Sequence, residues 1–190
     1  DCLNPYGNSK LVVESILSSL YDANIDFSIC ILRYFNPVGA HKTGLIGENP
    51  KGKPNNIMPI ICDTAMGDTG TLKIFGSDYL TKDGTALRDY IHINDLIDGH
   101  VAALKWIEEK SGSFGTFNLG SGRPTSVLEL IQIFEKVNKV TIPFEFVERR
   151  KGDVGECWAS ASKAEKELNW KPKMTIEDMC RDSFNWKKLK

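Results

Sequence analysis

Near the start of the chain, apolar residues recur at helical spacing and then close up into a short unbroken run. Val13, Ile16, Leu17 and Leu20 fall three or four apart, which predicts a helix over 6–23 with one apolar face and Asn4 as its cap. The stretch 25–34 has the core Phe27-Ser28-Ile29-Cys30-Ile31-Leu32, almost continuously apolar, which predicts a strand buried on both faces as in a parallel sheet. A helix delivering into such a strand reads as the end of a βαβ unit whose first strand is not among these residues. Residues 35–56 are rich in Gly, Pro, Asn and Lys, a loop long enough to suggest function. The pattern then alternates. It predicts a helix over 57–66, a strand over 71–75, a polar loop over 77–86, a strand over 88–93 and a helix capped by Asn94 and running to 109. A strand over 114–119, a break at 120–124, a helix from Ser126 to 137, a strand over 144–147 and helices over 160–168 and 175–187 complete it. The class is α/β, without an internal repeat or low-complexity segment.

Composition narrows the functions open to such a chain. Its 190 residues are 41% hydrophobic and 26% charged with a net charge of −1, so no general field draws it to nucleic acid or to an anionic membrane. Phosphate binding, if any, has to come from a few placed cations. No apolar run reaches the length of a membrane span, and residues 1–20 do not read as a signal peptide. The five cysteines (Cys2, Cys30, Cys62, Cys157, Cys180) are odd in number and contain no C-x-x-C pair, which points to reduced thiols in the cytoplasm. The three histidines (His41, His92, His100) show no metal-ligand spacing, and no metal is expected.

Several segments carry candidate chemistry. Tyr6 and Lys10 stand four apart on one helical face, where an ammonium beside a phenol favours the phenolate of a side chain that otherwise titrates near roughly 10. By itself the bare pair reads first as a surface tyrosine and a solvated lysine. Leu32-Arg33-Tyr34-Phe35-Asn36-Pro37-Val38-Gly39-Ala40-His41 leaves the C-terminal end of a strand, where open α/β sheets bind ligands. Its aromatics could instead be core and Asn36-Pro37 a simple turn. Gly52-Lys53-Pro54-Asn55-Asn56-Ile57-Met58-Pro59 reads as a loop with an Asn helix cap. Arg88 has the planar fork that binds two phosphate oxygens at once, or it pairs with Asp83 or Asp89. Arg149-Arg150-Lys151 is by itself a solvated charge run, and Cys157 an inert thiol. Asp89, Tyr90 and His92 read as scaffolding. Gly120-Ser121-Gly122 lies between a strand and a helix but lacks the third glycine of a dinucleotide loop, and reads as a tight turn.

Asn4-Pro5-Tyr6-Gly7-Asn8-Ser9-Lys10 resembles the catalytic segment of extended short-chain dehydrogenases, and Leu32 to His41 resembles the UDP-glucose 4-epimerases. The resemblance runs essentially from end to end. It implies the end of a doubly wound NAD(P)-binding Rossmann domain at 1–36 and a mixed α/β substrate domain at 37–190, with about 88–105 packing back on the NAD domain. It implies that Tyr6 is the base and Lys10 its partner on the nicotinamide ribose, with Tyr34 and Phe35 beside the nicotinamide. It places Asn36, Asn56 and Ile57 on the sugar nucleotide, and Lys73, Ile74 and Phe75 along the uracil. Arg88 and Arg150 are expected on the diphosphate, Asp153 on the ribose and Cys157 against the hexose. A cysteine at that position leaves room for an N-acetyl group. The implied activity is NAD-dependent interconversion of UDP-glucose and UDP-galactose through a 4-keto intermediate, in a cytoplasmic homodimer.

The glycine-rich fingerprint that seats the cofactor pyrophosphate, and the Ser/Thr that precedes the Tyr-Lys pair in that family, do not occur in this sequence. The 190 residues are therefore expected to be a C-terminal portion, inactive alone, with sheet surface that would normally be covered. A nucleotide-sugar dehydratase or decarboxylase of the same superfamily, and a non-catalytic nucleotide-sugar binding module, stay open as alternatives.

Overall fold

The computed structural model describes residues 5–23, 26–52 and 54–190. The cap expected at Asn4, the start of the strand expected at Ile25, and Lys53 lie outside them. The elements in order are α1 (Pro5–Ala23), β1 (Ile29–Tyr34), β2 (Asn36–Val38), α2 (Ile57–Met66), β3 (Leu72–Phe75), β4 (Leu87–His92) and α3 (Ile93–Glu109). They continue as β5 (Phe114–Leu119), β6 (Pro124–Ser126), α4 (Val127–Asn138), β7 (Phe144–Val147), β8 (Glu156–Cys157), α5 (Ser162–Glu167) and α6 (Ile176–Leu189). The periodicity placed every helix and the longer strands to within a few residues. It did not show β2, β6 and β8, each only two or three residues long, because such a strand exists only through its partner.

The strands pair mostly in parallel. β1 lies beside β5 and β3 beside β7, and β4 takes β2 and β8 in parallel and β6 antiparallel. Alternate residues of β4 face different clusters of buried side chains. Tyr90 joins Met58, Ile61, Leu72, Ile74, Leu130, Phe134 and Phe184 from α2, β3, α4 and α6. Ile91 joins Leu96, Trp106, Phe117, Leu119 and Trp170 around α3 and β5. One strand thus forms a wall of both cores, which the two-residue period of a strand permits.

Local chemistry sets the helix ends. Ser126 and Glu129 make a reciprocal capping box at α4, as do Thr175 and Asp178 at α6. Gly67 ends α2 in the left-handed conformation, with φ 79°. Asn94 is not the cap of α3: His92 is, its Nδ1 accepting from the Asn94 N–H at 3.0 Å. The ring of a buried strand residue takes the role because β4 runs into α3 without a turn. Asp95, in the first turn of α3, accepts from the N–H groups of Lys173 and Met174 and fixes the segment before α6.

The expected burial of the α1 apolar face is not observed. Leu11, Val12, Val13, Ile16 and Leu20 are exposed, and no α1 residue is buried. The helix is held by its other side: Arg33 Nε donates to Glu14 at 2.7 Å, the Tyr21 hydroxyl donates to the Gly112 carbonyl at 2.9 Å, and the Tyr21 ring meets Phe114. Of the predicted face only Leu17 is half-buried, while Val13, Ile16 and Leu20 stand exposed.

The α6 cap makes stability depend on pH. The Thr175 N–H, followed by Arg181, holds the Asp178 carboxyl at about 2, below its ordinary 3.8. The folded carboxyl therefore binds a proton less readily than the unfolded one, so its stabilisation is complete above 3.8 and is lost as pH falls towards about 2. Asp178→Ala should cost about 1 kcal/mol at neutral pH, the usual scale for a lost cap. The difference from the parent in urea midpoint should shrink across that acid window.

Candidate functional site

Three of the candidate residues, Asn36, Arg88 and Cys157, are brought together at β4. Asn36 pairs with Tyr90 across β2 and β4, and Cys157 pairs with Arg88 across β8 and β4. One strand therefore positions three residues that stand far apart in the chain. Asn36 and Cys157 are exposed and Arg88 is half-buried. Behind Asn36, Gly39 has φ 94° and sits against the His92 ring, where an added Cβ would lie 2.7 Å from Nε2. Its N–H donates to Ser183 Oγ at 3.0 Å, tying the loop to α6. His92 is fully buried, and its Nε2 lies 3.3 Å from Asp182 without the alignment of a hydrogen bond. Burial pushes the imidazole below its ordinary value despite that carboxylate.

A second group forms where β3 meets β7. The Arg150 guanidinium lies 3.8 Å from the Phe75 ring centre, and Asp153 donates its N–H to the Arg150 carbonyl. From there the chain crosses to β4, where the Leu87 N–H donates to the Gly155 carbonyl at 2.8 Å. The segment 148–157 thus links the end of β3 to Arg88. Lys73 and Phe75 alternate with Ile74, whose side chain is buried in the core, so Ile74 presents only backbone at this surface.

The cations divide into two kinds. Arg149 donates from Nε to Asp78 at 2.7 Å and lies over the Tyr79 ring. Arg88 and Arg150 make no ion pair among the described residues. The carboxylates considered as partners for Arg88 are engaged elsewhere: Asp83 accepts from Thr85 and Ser126, and Asp89 from Ser121, Gly122 and Ala159. Arg88 and Arg150, joined through the segment 148–157, are thus among the cations left to bind an anion.

Tyr6 is 73% exposed, and the Lys10 ammonium lies 5.0 Å from its ring centre, so the pair shares a helical face as the spacing requires. No hydrogen bond or ion pair joins either residue to the β4 group among the described residues. Tyr34 is 54% exposed beside His100, and Phe35 is half-buried, its N–H extending the β1–β5 pairing to the Leu119 carbonyl. Tyr34 is therefore not a core aromatic. Arg33 is a structural ion-pair residue with Glu14. Asn56 occupies the cap position of α2 without capping: its Nδ2 donates to Glu48 at 2.9 Å. Ile57 packs half-buried against the core.

Tyr79 was not visible in the sequence pattern. Its ring is wedged between Gly76 and Gly155, where an added Cβ would come within 2.5 Å and 3.2 Å of it. It holds the β3 end and the segment 148–157 together, and the only hint in the sequence is glycine at both faces. Its buried hydroxyl has no hydrogen-bond partner among the described residues.

Comparison with known proteins finds relatives along nearly the whole chain. A family model for GDP-mannose 4,6 dehydratase matches residues 1–183. The chain is 49% identical to a UDP-glucose 4-epimerase of Bacillus subtilis, over 96% of this chain and 54% of that protein. It superposes with a TM-score of 0.96, at 47% identity, on a Stenotrophomonas maltophila UDP-glucose-4-epimerase crystallised with NAD and formylated UDP-arabinopyranose. That match covers 100% of this chain and 56% of the other. With a Bifidobacterium longum UDP-glucose 4-epimerase in complex with NAD+ and UDP the TM-score is 0.94, at 48% identity, over 98% of this chain and 55% of the other. The chain spans about half the length of the relatives it matches.

The Tyr79 geometry sets an expectation. Tyr79→Phe removes only an unpartnered hydroxyl and should leave the urea midpoint unchanged or raise it. Tyr79→Ala should cost about 3–5 kcal/mol, the range for truncating a packed aromatic.

Proposed function

The chain belongs to the GDP-mannose 4,6 dehydratase family of extended short-chain dehydrogenases/reductases, and from that premise we propose that it carries the catalytic base and the sugar-nucleotide pocket of an NAD-dependent UDP-glucose 4-epimerase. The observation that carries this reading is the pair of arginines, Arg88 and Arg150, left without carboxylate partners at the two ends of one segment. They suit a dianionic diphosphate on a chain whose net charge is only −1. Phe75 and Lys73 form the surface for the uracil, Asp153 accepts from the ribose hydroxyls, and Asn36 and Asn56 bond the sugar nucleotide at its other side. Ile57 adds apolar contact, and Ile74 contributes its backbone.

The exposed Tyr34 ring at the C-terminal end of β1, and the exposed Tyr6 ring with the Lys10 ammonium on α1, suit the nicotinamide end of NAD. Phe35 backs that surface. When bound, NAD supplies the hydride acceptor and donor at the fourth carbon of the sugar. Tyr6 takes the proton from the hydroxyl on that carbon and returns it after the 4-keto sugar has turned its other face. Lys10 places positive charge beside the tyrosine ring and bonds the nicotinamide ribose. UDP, held by Arg88 and Arg150, keeps the keto sugar in the pocket while it turns.

Residues 1–36 then belong to the NAD domain, with 88–105 packed on it, and the remainder of 37–190 is the substrate domain. The exposed apolar faces of α1 and α3 suit cover by the NAD domain and by a second copy in a homodimer. The free thiols Cys30, Cys62, Cys157 and Cys180 suit the cytoplasm, and no helix of the described residues is long and apolar enough to cross a membrane.

The test is made on the full-length protein carrying these residues. Purified, it should hold NAD and convert UDP-galactose to UDP-glucose, and Tyr6→Phe should lower kcat by about a hundredfold or more with the cofactor retained. A dehydrated or decarboxylated product, or UDP binding without any cofactor, sinks this reading. Cys157, small and exposed beside Arg88, leaves room at the second carbon of the hexose. UDP-N-acetylglucosamine should be turned over by the parent and lost in Cys157→Tyr, with UDP-glucose retained.

A further inference from the structure

Asp89 is fully buried, and both of its carboxylate oxygens are committed to acceptance. Oδ1 accepts from the Ser121 N–H at 2.7 Å and from the Ser121 hydroxyl at 2.6 Å. Oδ2 accepts from the N–H of Gly122 and from the N–H of Ala159, each at 3.0 Å. These donors come from two segments distant in the chain. One is the Gly120-Ser121-Gly122 turn, and the other lies two residues beyond Cys157. Space around the carboxylate is set as closely as its bonds. A Cβ on Gly120 would lie 2.6 Å from Asp89 Oδ2 and 2.6 Å from the Ala159 Cβ.

The strand that this contact finishes is minimal. β8 is two residues long and pairs with β4 only through Leu87↔Glu156 and Arg88↔Cys157. So short a pairing cannot fix its own position, since slippage by one residue reverses which side chains face the pocket. The Asp89 bond to Ala159 is anchored in the same strand as Arg88, one residue on. It sets the register in which Cys157 stands beside Arg88.

We propose that Asp89 is a positioning residue for sugar-nucleotide binding, holding the segment that carries Cys157 in register with Arg88. The inference rests on the UDP-sugar reading of this pocket. Asp89 touches no substrate in this account: it acts through Arg88 and Cys157. A role confined to stability would leave UDP affinity and sugar preference unchanged.

Asp89→Asn in the full-length protein separates the two. The amide keeps the size of the side chain and one acceptor oxygen for Ser121, but sets an NH2 against the N–H groups of Gly122 and Ala159. UDP binding, measured by calorimetry on NAD-loaded protein, should weaken about tenfold. The ratio of KM for UDP-N-acetylglucosamine to KM for UDP-glucose should shift as well, with bound NAD unchanged. Ser121→Ala removes one bond at Oδ1 and leaves the Ala159 bond intact, so it should lower the thermal midpoint without moving the UDP Kd. If Asp89→Asn does not fold, Gly120→Ala, which presses a methyl group between Asp89 and Ala159, should give the same shift. Parental UDP affinity in Asp89→Asn or, failing that variant, in Gly120→Ala overturns the inference alone. So does equal weakening by Asp89→Asn and Ser121→Ala. A parent protein that binds no UDP overturns the reading beneath it and the inference with it.

Discussion

Strand β4 is shared more heavily than any other element described. Its edges are taken by β2, β6 and β8, and its alternate side chains enter different cores. A strand with both edges and both faces used has little freedom to slide, because one residue of slip would exchange Tyr90 and Ile91 between cores and carry Asp89 away from its donors. That rigidity serves the pocket. Asn36, Arg88 and Cys157 all take their place from β4, so their relative geometry follows from backbone pairing rather than from flexible loops.

Electrostatics around the pocket follows from how the carboxylates are used. Asp83, Asp89 and Asp95 lie close to cations in sequence or space, yet each is occupied by hydroxyl or backbone N–H donors. A carboxylate saturated in this way stabilises turns and helix starts and is a poor partner for a mobile side chain. Arg149 is the contrasting case, fixed by Asp78 and by the face of Tyr79. Arg88 and Arg150 keep their charge without such a partner, on a protein with nearly balanced charge overall. The proposed diphosphate recognition needs no basic surface.

The cost of the arrangement shows at α1. The helix carrying Tyr6 and Lys10 is joined to β1 and β5 by an ion pair and an aromatic contact along one side, while its apolar side faces outward. An apolar stripe of that width lowers its free energy when covered. The proposed base and its lysine therefore stand on a helix with no buried residue, and the proposed pocket residues Asn36, Arg88 and Cys157 take their place from a strand used on both edges.

Much of this was legible in the residues. Periodicity located the six helices described and the longer strands, because an apolar repeat of 3.6 or 2 is written directly into the chain. The Tyr6–Lys10 spacing is a property of one helix, and its side chains meet as that spacing requires. The segments carrying Asn36, Arg88, Arg150 and Cys157 could be picked out for their chemistry and their resemblance to a known family. Other things could not be read. What holds Arg149 is Asp78 and Tyr79, far away in sequence. That Cys157 lies beside Arg88 depends on a two-residue strand with no pattern of its own. Whether His92 or Asn94 caps α3 depends on how β4 enters the core. The sequence by itself determined the elements and the chemical types offered, since both are local. Only the tertiary structure decided which charges are spent on the fold and which remain for a ligand, since that is settled by contacts between residues tens of positions apart.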